Sequence, residues 1–152
     1  MSEARAIKFR AWDRALKQMF EVTKLQWSVY TTQAFYEIEL MSMDGKYTVQ
    51  TVEALHTIIT NIYEIMWFTG LLDRNGREIY ECDLLEAEDY WGKGDYAEVA
   101  WHDGQLQWWL KRNGVFYEPL RTPFADRHFV FAVIGNRYEN PEFLECKEQT
   151  HG

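Results

Sequence analysis

Short runs in which apolar and polar residues alternate, each ended by a turn-forming cluster, constrain this chain more than any other feature. A period of two points one set of side chains at a core and the other at water, the geometry of a half-buried strand. Ile7, Phe9 and Ala11 alternate with Lys8 and Arg10, and after a polar bend from Asp13 to Gln18 the run MFEV predicts the return strand of a hairpin. Tyr36, Ile38 and Leu40 alternate with Glu37 and Glu39, and the bend MDGK leads into KYTVQ as a second hairpin. Ala97, Val99 and Trp101 alternate with Glu98 and His102. Beyond His102-Asp103-Gly104, Leu106, Trp108 and Leu110 alternate with Gln107, Trp109 and Lys111. This third hairpin is expected to have one wet face, with Trp108 buried and Trp109 largely exposed.

Asn75-Gly76 is read as the strongest short-range turn signal, because both residues tolerate positive φ. It predicts a hairpin joining MWFTGLL to REIYECDLL. The run FVFAVIG at 129–135 is apolar on both faces and reads as a strand covered on both sides. From Thr51, the residues Val52, Leu55, Ile58, Ile59 and Ile62 follow helical spacing, so one short helix is expected with Thr51 as N-cap. Their β-branching opposes it, and IYEIMWF reads as strand by Tyr63. Asn140-Pro141 opens a brief C-terminal helical turn. Seven Trp and nine Tyr agree with a fold class of α+β, mostly β.

A chain of 152 residues without repeat, low-complexity tract or Pro/Gly-rich linker fits one compact body, and its 47% hydrophobic content excludes global disorder. No apolar run is long enough for a membrane span, and MSEARAIKFR has no signal-peptide core, so a bacterial cytoplasm is the expected location. Cys82 and Cys146 form no CxxC pair and are expected as reduced thiols.

Charge is uneven. Residues 77–152 carry 8 Lys/Arg and 15 Asp/Glu, and nine carboxylates lie between Glu78 and Asp103 against one Lys93. Basic residues outnumber acidic ones in the first 24, through Arg5, Lys8, Arg10, Arg14, Lys17 and Lys24. The acidic half disfavours nucleic acid, whose binding rests on neutralised phosphates.

No Gly-rich phosphate loop, HExxH, GxSxG or CxxC is present, so neither a catalytic site nor a cofactor is expected. Cys82, His102, His128 and Cys146 hold the atoms of a zinc site, but spacings of 20, 26 and 18 match no zinc knuckle. Glu81 and Asp83 share a strand face if REIYECDLL is one strand, the geometry of a Mg²⁺ or acid/base pair and equally of a plain polar edge. Trp91 and Trp109 are the expected exposed aromatics.

IKFRAWD at 7–13, KQMFEV at 17–22, FTGLLDRNGREIYECDLL at 68–85 and VIGNRYENPEFL at 133–144, in this order and spacing, resemble the YopX family of small bacteriophage and prophage proteins. The resemblance implies an N-terminal α+β portion over 1–65 and a small SH3-like β-barrel over 66–152. The family brings no established activity or catalytic residues. Where it typically reads tyrosine-glutamate-glycine-aspartate, this chain has Tyr80-Glu81-Cys82-Asp83. Glycine there suggests positive φ or a close backbone approach; for Cys82 an ordinary β conformation is the expectation.

The resulting functional expectation is a non-enzymatic phage accessory protein that meets a host or phage protein, or a second copy of itself. The surface expected to do so comprises Glu81, Asp83, Glu86, Glu88, Asp89, Trp91 and Trp109, beside Gln107 and Lys111. A nucleic-acid-binding barrel and a metal-assisted hydrolase using Glu81 and Asp83 are the rival readings.

Overall fold

The computed structural model describes residues 7–30, 33–46, 48–120 and 130–145, with side chains left undescribed at 27–30, 33–36, 48–57, 90 and 145. Arg5, His128, Phe129 and Cys146, invoked above, lie outside the described residues. The chain is mostly β, in two antiparallel sheets, and divides after Trp67 into two compact units.

The N-terminal unit holds β1 (Phe9–Asp13), β2 (Gln18–Tyr30), β3 (Gln33–Ser42), β4 (Thr48–Leu55), α1 (His56–Ile62) and the start of β5 (Tyr63–Leu72). Its strands lie in the order β4-β3-β2-β1-β5. The two expected hairpins are present, with Ala11 opposite Phe20 and Ile38 opposite Val52. Ala11, Phe20, Ile38, Leu40, Ile59 and Tyr63 form the core. The first turn is held by Asp13, whose Oδ1 accepts from the Ala15 and Leu16 N–H groups.

The helix begins later than its periodicity suggests. Thr51 is not an N-cap: residues 51–55 pair with β3, Glu39 opposite Thr51 and Phe35 opposite Leu55. Strand pairing uses β-branched Thr51 and Val52 where they cost least, and α1 keeps seven residues, Ile59 being buried.

In the C-terminal unit, residues 68–72 of β5 pair with β6 (Glu78–Tyr80). There follow β7 (Asp83–Glu86), α2 (Glu88–Trp91), β8 (Tyr96–His102), β9 (Gln107–Arg112), β10 (Val115–Pro119), β11 (Ala132–Asn136) and α3 (Glu142–Glu145). The larger sheet here runs β10-β9-β8-β7-β11. Its core includes Ile79, Leu85, Val99, Leu110, Leu120, Phe131 and Val133. Among the described residues no ladder joins β10 to β11, so the sheet is open as paired.

Three local expectations are corrected. At Asn75-Gly76 only Gly76 has positive φ, 78°; its N–H donates to the Asp73 carbonyl, and Asp73 Oδ1 accepts from the Asn75 and Arg77 N–H groups. The pair with positive φ at both residues is Asn113-Gly114, at 53° and 74°, joining the opposed residues Arg112 and Val115 of β9 and β10. Leu106 leaves the core face: with φ 52° it sits in the β8–β9 turn and is 75% exposed. β11 is shorter than FVFAVIG but buried on both faces as expected, and among the described residues it pairs only with β7, with a register shift between Val133 and Gly135. No described helix is long and apolar enough to cross a membrane.

Candidate functional site

REIYECDLL is two strands broken at Glu81-Cys82. Cys82 has φ 67°, not the expected β conformation, and this left-handed residue turns the chain from β6 into β7. The turn is fixed from three sides. Cys82 N–H donates to the Val99 carbonyl, Arg137 N–H donates to the Cys82 carbonyl, and Asp83 Oδ2 accepts from Tyr80 N–H. Glu81 and Asp83 therefore do not share a strand face, and Asp83, 1% exposed, leaves both the proposed carboxylate pair and the expected surface.

The Cys82 turn abuts a polar and aromatic face of the larger sheet. Val99 opposes Leu110 on the core side, so Glu98, opposite Lys111, and Trp109, opposite Ala100, lie on the other side. This face is half-buried rather than wet. Glu98 is 7% exposed and accepts from Arg137 at 3.1 Å. Burial raises its pKa, opposed by the charge and hydrogen bond of Arg137 and by Lys111. Burial likewise pushes the Cys82 thiol up to about 12, with Glu81 and Glu98 adding to the shift. Such a thiol stays protonated near neutrality and is a poor nucleophile.

Further along, the His102 ring lies 4.8 Å from Trp109 and 4.2 Å from Phe116, and Lys111 Nζ stands 4.6 Å from the Phe116 ring centre. Trp109 is thus half-buried under neighbouring rings, not largely exposed. Trp91 is half-buried too, 5.4 Å from Phe131 and beneath the Arg112 guanidinium at 5.6 Å.

The acidic stretch does not form one patch. Glu86 pairs with Arg74 at 3.4 Å, Asp95 with Arg112 at 3.0 Å and Glu98 with Arg137, while Glu78 accepts from the Tyr80 hydroxyl. Glu88, Asp89 and Asp103 are the exposed carboxylates of the run. Among the described residues no three His, Cys, Asp or Glu side chains gather as a metal site.

Trp67, at 52%, and Tyr117, at 54%, are exposed, and within the acidic run so is Trp101, at 41%. It shares the core side of β8 with Val99 but stands beyond the core, edge to face on Trp108 at 5.1 Å. Trp108, expected to be buried, is half-buried and packs against the edge of the core cluster. Leu106 and exposed Asp103 occupy the adjoining turn.

Residues 8–145 match the family model described as YopX protein. The chain belongs to the YopX family. It is also similar to a solved structure, the crystal structure of protein EF1440 from Enterococcus faecalis, at 26% identity and a TM-score of 0.52, covering 93% of this chain and 99% of that one. No curated protein matches. Much of the YopX-like sequence serves the backbone. Asp73 Oδ2 accepts from Val133 N–H, tying the DRNGR turn to β11. Asn136 Oδ1 accepts from the Tyr138 and Glu139 N–H groups, and Asn140 Oδ1 from Asn136 N–H. This folded loop delivers Arg137 to Glu98. The YopX match thus accounts for turns and ties more directly than for any reactive group.

Proposed function

We propose that this YopX-family chain is a non-enzymatic accessory protein of a phage or prophage, acting in the bacterial cytoplasm by contact with a basic host or phage protein. The observation that carries the reading is the tip of the β8–β9 hairpin, where Trp101 and Leu106 stand exposed beside Asp103. An exposed Trp braced by a second Trp is a preformed anchor of the kind that dominates interface energy. Glu88 and Asp89, exposed on α2, belong to the same acidic unit, whose charge attracts a basic partner and repels nucleic acid. We further read this unit as an SH3-like small barrel. The bulges at Tyr117 and Ile134 bend the two end strands of its sheet, and such bends are what curling requires.

Capture of host proteins on immobilised chain tests the contact reading. Trp101→Ala with Leu106→Asp, and separately Glu88→Lys with Asp89→Lys, are expected to lose the proteins held by the parent while melting normally. Retention of the same proteins by both variants refutes it.

A further inference from the structure

The end strands of the two sheets are protected to different degrees. β10 has five residues, a bulge at Tyr117 and a terminal Pro119; β11 has five residues and a bulge at Ile134. Short length, bulges and proline keep a sheet edge from recruiting another strand. The six-stranded sheet ends on one side in β6, only three residues long, and on the other in β4, which has eight, TVQTVEAL. Its one register shift falls near its start, between the pairs Leu40–Gln50 and Met41–Thr48. From Gln50 to Leu55 it pairs regularly with β3, and this stretch contains no Pro, Gly, Lys or Arg and one charge, Glu53. Among the described residues no strand lies on its other side.

We infer that β4 is a self-association edge, through which two copies of the chain pair antiparallel over residues 50–54 and join their N-terminal sheets. Identical strands related by a two-fold axis can pair only antiparallel, and the free edge offers main-chain donors and acceptors in that arrangement. An axis through Val52 pairs Gln50 with Ala54 and sets Glu53 against Thr51 of the other copy, so no like charges oppose. Net charge selects the same edge. Residues 7–67 carry 6 Lys/Arg and 7 Asp/Glu, whereas the remainder carry 10 and 17, so copies approach through the N-terminal unit with the least repulsion. This contact is separate from the hairpin tip proposed above, and either reading can fail without the other.

Amide-resolved hydrogen exchange at high and low protein concentration, with solution mass from light scattering, tests it. The expected result is a dimer that dissociates on dilution. Alternate amides between Gln50 and Leu55, those not bonded to β3, should be slow in the dimer and fast in the monomer. Thr51→Pro and Val52→Pro, made separately, remove successive donors, and whichever keeps the parental melting curve should be monomeric. A monomer at every concentration, or a dimer whose outer β4 amides exchange freely, overturns the inference. So does a normally folded proline variant that still dimerises with those amides protected.

Discussion

Arg137 reaches Glu98 across 3.1 Å, pinning the loop after β11 to the middle of β8 although the two residues are 39 apart in sequence. The pair is asymmetric: the Glu98 side chain is 9% exposed and that of Arg137 47%. Desolvation therefore falls mainly on the carboxylate.

Glu98 should consequently give a pH dependence opposite to that of an ordinary paired carboxylate. Its folded pKa is raised by burial, so the folded chain holds this proton more tightly than the unfolded chain. Its stabilising contribution is fully present below the unfolded pKa and is lost as pH rises through the folded one. Urea melts across that window should show Glu98→Gln gaining on the parent as pH rises. A constant difference would show that the Arg137 pair balances burial, and an opposite trend that it outweighs burial.

Cys82→Gly should raise the melting temperature. A non-glycine residue at φ 67° carries roughly 1–2 kcal/mol of left-handed strain. Glycine removes it, offset by roughly 0.4–1 kcal/mol of unfolded-state entropy and by some lost packing. A net gain below about 1 kcal/mol is expected, and a clear loss in calorimetry would show that packing of the thiol dominates.

Gly135→Ala should destabilise for a different reason, because no positive φ is involved. A Cβ there would stand 2.3 Å from Asn140 Oδ1, the acceptor for Asn136 N–H. Overpacking of this kind costs about 1–3 kcal/mol. In a double-mutant cycle Asn140→Ala should absorb part of the penalty; strict additivity would mean that the loop simply moves aside.

The tryptophans should rank by burial. Trp108→Ala should cost most, up to about 3 kcal/mol, because this half-buried ring packs against the core cluster. Trp109→Ala should cost less but measurably, through lost contact with His102 and Phe116, and Trp101→Ala least. Denaturant midpoints with Trp101 as the most costly site would place the core beyond the end of β8.

Alternation made the hairpins legible because each side of a strand has one environment. It did not reveal where along β8 that environment stops, so Trp101 has the core's parity yet lies outside the core, and Trp109 has the surface's parity yet is covered. Turn chemistry was legible in kind but not in place: Asn113-Gly114, unremarked in the sequence, holds the doubly left-handed turn, while Asp73 governs the loop at Asn75-Gly76. Glu81 and Asp83 misled because a break of two residues changes strand parity. The Glu98–Arg137 pair left no periodic trace, since it is made by elements distant in sequence.

The Asp73 carboxylate, which accepts from Val133 N–H 60 residues later, also sets a timetable. In the N-terminal unit β1, β2, β3 and β4 pair in succession, so each can join as it leaves the ribosome. The C-terminal unit cannot make the Asp73 Oδ2 tie or complete its sheet until β11 has been synthesised. Translation thus leaves the second unit unfinished until Asn136 has been made, and during that interval its nascent strands are the part of the chain most in need of protection from stray pairing.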